Sequence, residues 1–193
     1  DGNLHINESI DRDLRRELEA LLNASVRTIK TAMQHLTNSL GVDIGFLFKK
    51  EGAFEAGLVA LAQTDQPLAT YLSEARNWTE PLMLLRNDME HSTWTVARVK
   101  YQQNAAGVMA VEPLVDVETI TRFADKIFDR ASLFVEDITA HCLQKELPAG
   151  ITITEVPLAD RNAEYPERFR ITLAMGGAPT WQLAYQLVRF DQI

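Results

Sequence analysis

Arg86, Asn87 and His91 stand close together in LLRNDMEHSTWTVARV (84–99), where a long helical pattern gives way to strand-like alternation. These residue types suit cleavage of RNA without a metal. That reaction takes a proton from a 2′-hydroxyl, stabilises a dianionic phosphorane and protonates the departing oxygen. A histidine titrates near neutrality, so His91 can act as general base or acid. Arg86 stays cationic and offers a planar fork that matches phosphate oxygens. Asn87 can donate to the phosphate or orient the histidine. A second explanation uses the same residues: Arg86 and Glu90 are four apart, the spacing of a solvated helix-end ion pair. His91 near a helix C-terminus is also favourable with the helix dipole alone.

Helical geometry limits how one copy can use these residues. Asn87 and His91, four apart, share a helix face, whereas Arg86 and His91 are about 140° apart around it. They come together only if the helix ends at His91.

The surrounding elements follow from the apolar spacing. Ile10, Leu14, Leu18, Leu22, Val26, Ile29, Met33, Leu36 and Leu40 recur at three- and four-residue steps, which predicts one long helix over about 9–40, stopped by Gly41. Its other face carries Arg12, Arg15, Arg16, Glu19, Asn23, Arg27 and Lys30; the arginines and Lys30 make it locally basic, so that it could follow an RNA backbone, and it is otherwise a solvated face. A second helix is expected over Ala53–Ala62 and a third from near Pro67 to His91. Pro81 and the Asn77/Glu80 capping pattern predict a kink or restart inside the third. Alternation in Thr93–Tyr101 and Val108–Val111 around QQNAAG predicts a hairpin. Asp116 is expected to cap a last helix whose apolar face runs from Val117 through Ile120, Phe123, Ile127, Phe134 and Ile138 to Cys142, which LPAG (147–150) ends. ITITEV, RFRITLAM and WQLAYQLVRF then read as three strands.

The fold class expected is therefore mainly α: an antiparallel helical bundle with an inserted β-hairpin at about 93–112 and a small C-terminal β extension. Residues 1–147 form the bundle, and 148–193 form a strand-rich extension packed on it.

RNDMEH at a bundle-helix end resembles the signature of the HEPN domain family, an arginine separated by four to six residues from a histidine, with a polar residue directly after the arginine. Here four residues intervene and Asn87 is the polar one. The order of elements over about 8–147 is also similar, while the strands after Gly150 have no counterpart in it. The resemblance implies a ribonuclease acting in a toxin or antiviral defence setting, with RNA as substrate and an antitoxin or other defence-system protein as a partner. It implies a homodimer in which two motifs meet across a two-fold axis, and Arg86, Asn87 and His91 as catalytic residues. A non-catalytic dimerisation or partner-binding module is the competing expectation.

Composition bounds both. The net charge of −8 gives no general basic surface for nucleic acid, so any RNA site must be local. The single cysteine, Cys142, excludes an internal disulfide and a cysteine-based zinc cluster, and points to a reducing, cytoplasmic setting. Asp137 and His141, one turn apart and beside Cys142, with His35 as a conceivable third ligand, are better explained as helix surface and core than as a metal site. MGGAPT (175–180) lacks a phosphate-binding lysine and reads as a turn. No cofactor is expected, and no stretch reaches the length of a membrane span. The first residue is not methionine, so the chain reads as trimmed or as a fragment.

Overall fold

A computed structural model describes residues 9–162, 164, 167–173 and 182–184. The protein is mainly helical, with small antiparallel hairpins and a C-terminal sheet. It divides into two compact units, Asp1–Val135 and Glu136–Ile193.

The first unit opens with α1 (Ile10–Val26), which continues through a π-helical stretch (Arg27–Ala32) into α2 (Met33–Ser39). These form the single long helix its apolar stripe predicts. The π stretch is not visible in that stripe. Ile29, Met33 and Thr37 are all buried at four-residue steps, a spacing that drifts around a regular α-helix. The wider π turn counters that drift and keeps them on one face. Gly41, at φ +74°, closes the helix: the Val42 N–H donates to the Thr37 carbonyl at 2.8 Å and the Gly41 N–H to Asn38 at 3.1 Å. This is the double-bonded C-terminal closure that a left-handed residue permits.

A single 3₁₀ turn (Gly45–Phe48) buries Ile44, Phe46 and Leu47 and leads into α3 (Glu51–Ala62). The Phe46 ring stacks at a tilt on Phe54, 6.1 Å between centroids. A Cβ at Gly57 would overlap the Phe46 ring, so only glycine lets α3 approach this closely.

α4 (Gln66–Glu90) is capped by Asp65, whose carboxylate accepts from the Leu68 N–H at 3.2 Å. It runs unbroken through Pro81 and does not restart there. Proline removes one backbone bond, and burial of Leu72, Ala75, Leu82 and Met89 on either side outweighs that loss. Glu80 is drawn to Arg76 in an i,i+4 ion pair at 2.5 Å instead of capping a new helix. Arg76 also donates to the Leu47 carbonyl and lies over the Phe54 ring. Phe134 sits edge-on to Trp78 and tilted to Tyr71, at 6.0 and 6.1 Å.

The predicted hairpin is present but shorter. β1 (Lys100–Asn104) pairs with β2 (Gly107–Val111) around Ala105 and Ala106, and residues 93–99 are unpaired. That segment follows other interactions: Val96 is buried, and the Val99 N–H donates to the Asp11 carboxylate at 2.8 Å. A second small hairpin, β3 (Leu114–Val115) with β4 (Glu118–Thr119), turns at Asp116, which has φ +55°. Asp116 is therefore a turn residue and not the expected helix cap, and Val117, expected on the apolar face of that helix, lies in the turn and is exposed. α5 (Ile120–Glu146) begins after Thr119, whose hydroxyl accepts from the Arg122 N–H at 3.4 Å, and Glu112 accepts from the Thr121 N–H.

The second unit holds the end of α5, with Ile138 and Cys142 buried, and an antiparallel sheet ordered β5-β6-β7. β5 (Ile151–Glu155) pairs with β6 (Phe169–Leu173), placing Ile153 opposite Ile171, and β6 pairs with β7 (Gln182–Ala184). Arg168 gathers Glu136, Asp137 and Glu155 at 3.2, 2.7 and 3.2 Å. Burial works against its charge, but the Asp137, Glu136 and Glu155 carboxylates prevail and hold the guanidinium above its ordinary pKa. MGGAPT and the remainder of WQLAYQLVRF lie outside the described residues. Among the described residues, no helix is long and apolar enough to cross a membrane.

Candidate functional site

Arg86, Asn87 and His91 occupy the last turn of α4 and its C-cap. Leu82 and Met89 bury one face of this turn, which leaves Arg86 and Asn87 half-buried and His91 exposed. The backbone closes beyond His91 as it does at Gly41. The Thr93 N–H donates to the Asp88 carbonyl at 2.9 Å and the Ser92 N–H to Met89 at 3.1 Å. Ser92 takes the left-handed position at φ +57°, a conformation costly for a residue with a Cβ. The Thr93 hydroxyl reinforces the closure by donating to the Asp88 carbonyl at 3.0 Å and to its carboxylate at 3.2 Å. The helix does end at His91, the condition under which the three residues can share a site.

The structure joins Arg86 to Asn87. The Arg86 Nη1 donates to Asn87 Oδ1 at 3.0 Å and meets Glu90 Oε2 at 2.7 Å, the i,i+4 ion pair expected from the spacing. A third acceptor comes from another helix: Nε donates to Asn23 Oδ1 of α1 at 3.0 Å. An arginine has five N–H groups. Nη2 carries two of them and has no acceptor among the described residues.

His91 is not drawn into this group. Its backbone N–H donates to the Asn87 carbonyl at 2.9 Å, while its imidazole has no hydrogen-bond partner among the described residues. Asn87 turns its oxygen to Arg86, so orientation of the histidine through that oxygen does not occur. The amide N–H groups of Asn87 remain able to donate. Asn23 was legible in the sequence only as one polar residue on a helix face, since its partner lies 63 positions away. No local pattern reports such a contact.

No protein-family model, curated protein or solved structure matches this chain.

The remaining candidates resolve differently. Asp137 bonds Arg168 at 2.7 Å, and among the described residues no group of three or more His, Cys, Asp or Glu side chains is placed to hold a metal ion. On the basic face of α1, Arg12 and Arg16 are paired with Asp13, and Arg16 with Glu17. The Ser9 hydroxyl, donating at 2.7 Å, is the main cause holding the Asp13 carboxyl below its ordinary value, with Arg16 and Arg12 adding to it. The Glu17 carboxylate in turn raises Arg16 above the ordinary arginine value.

Proposed function

We propose that this chain is a metal-independent endoribonuclease of the HEPN type, cleaving single-stranded RNA through Arg86, Asn87 and His91. The observation that carries the reading is the joint placement of a bonded Arg86–Asn87 pair and an exposed imidazole at one closed helix end. Arg86 keeps a nitrogen free for a phosphate oxygen, and Asn87 keeps its amide donors.

Neutral His91 takes the proton of the 2′-hydroxyl, whose oxygen attacks the adjacent phosphorus. Charge builds on the non-bridging oxygens, where Arg86 and Asn87 donate. The 5′-oxygen leaves with a proton supplied by an imidazolium, and the products are a 2′,3′-cyclic phosphate and a 5′-hydroxyl. One histidine cannot be base and acid in the same instant. A homodimer with two His91 residues near its axis answers this, one imidazole accepting while the other donates. A toxin or defence setting, with an antitoxin or similar partner and a cytoplasmic location, accompanies this reading.

A second reading has its own support. Glu90 sits at 2.7 Å from Arg86 and partly neutralises it, as expected of a structural ion pair in a non-catalytic dimerisation or partner-binding module. Incubation with single-stranded RNA in EDTA separates the two. The ribonuclease predicts cyclic-phosphate products from the native chain and a fall of at least about 10²-fold in His91→Ala. Folded native protein that cleaves no faster than His91→Ala would exclude the enzyme.

A further inference from the structure

The geometry points to Asn23 of α1 as a positioning residue for Arg86, fixing which nitrogen of the guanidinium meets a bound phosphate. This rests on the ribonuclease reading. A free arginine side chain samples many rotamers and would spread its charge over several positions. Asn87 and Glu90, both on Arg86's own helix, meet the same atom, Nη1, at 3.0 and 2.7 Å. Contacts to a single atom leave the planar group free to swing about it. Asn23 supplies the second fixed point by accepting from Nε at 3.0 Å, and the two anchored nitrogens, together with the covalently bound Cδ, define the plane. Nη2, with both of its N–H groups, is then the nitrogen left for a ligand.

The residue type fits this role. An amide oxygen orients the cation while adding no charge, whereas a carboxylate would compete with the phosphate for it. Asn23 is also exposed, so its loss removes a hydrogen bond and leaves the apolar stripe of α1 untouched.

The test follows the Arg86 Nε–H resonance in ¹⁵N-labelled protein, together with RNA cleavage. Asn23→Ala is expected to speed exchange of that proton and to lower kcat about tenfold, as for one orienting hydrogen bond to a charged group, with KM nearly unchanged. Asn23→Asp keeps the acceptor, so exchange stays slow and its added charge raises KM. In an Arg86→Ala background, Asn23→Ala should lower cleavage no further. Unchanged Nε–H exchange in folded Asn23→Ala, or a loss that adds in full to that of Arg86→Ala, overturns the proposal. If the native chain does not cleave while Asn23→Ala still releases the Nε proton, the ribonuclease reading fails and the hold of Asn23 on Arg86 stands.

Discussion

Replacing Ser92 by glycine should stabilise the protein, a consequence of how the candidate site is closed. Ser92 and Gly41 end their helices with the same pair of backbone bonds, and both have positive φ, +57° and +74°. At Gly41 the left-handed conformation is free of Cβ strain. At Ser92 the Cβ approaches the following carbonyl, which costs about 1–2 kcal/mol. Glycine removes that cost but loses about 0.5–1 kcal/mol through its greater freedom in the unfolded chain. Ser92 is exposed and its side chain has no hydrogen-bond partner among the described residues, so little else changes. The net expectation is a gain of about 0.5–1 kcal/mol. Urea unfolding should show a higher midpoint with the slope unchanged, and melting should rise by about 1–4 °C for a chain of this size. Gly41→Ser is the mirror experiment and should lose a similar amount. A lower midpoint for Ser92→Gly would refute the account of this helix end.

Other outcomes follow from single contacts. In the proposed ribonuclease, Glu90→Gln removes a negative charge beside the phosphate held by Arg86, and like charges ~6 Å apart repel by about 0.7 kcal/mol at the dielectric of water. Cleavage should therefore gain about threefold in kcat/KM, at a stability cost of about 0.3–0.5 kcal/mol for a surface i,i+4 pair; no gain in steady-state assays would count against phosphate binding at Arg86. Thr79 is 1% exposed and its hydroxyl has no partner among the described residues, so Thr79→Val should stabilise by about 1 kcal/mol in urea titrations. The Ser9 hydrogen bond depresses the Asp13 carboxyl, so its contribution to α1 is present above the unfolded value and lost as pH falls through the lower folded one. Ser9→Ala should move the Asp13 midpoint upward, readable by carboxyl ¹³C NMR, and shift fraying at the start of α1 to higher pH.

Apolar periodicity determined the long helices, because burial of one face is a local, repeating requirement that spacing records directly. It placed α4 and α5 within a few residues of their ends, and the alternation in ITITE placed β5. The Arg86–Glu90 pair was legible for the same reason, since four residues on a helix bring side chains together whatever lies beyond. What depended on distant atoms was decided only by the tertiary structure. The π turn at Arg27–Ala32 answers to packing against the rest of the unit. Pro81 stays inside α4 because buried neighbours outweigh one lost bond. Asp116 becomes a turn because β3 and β4 pair around it, which passes the capping role to Thr119. At the candidate site, the sequence supplied Arg86, Asn87 and His91 as chemical types on a helix end. The fold turned Asn87 toward the arginine and not the histidine, set Ser92 in a left-handed closure, and brought Asn23 across from α1. Hydrogen bonds between helices depend on how those helices pack, and no spacing within either segment encodes that.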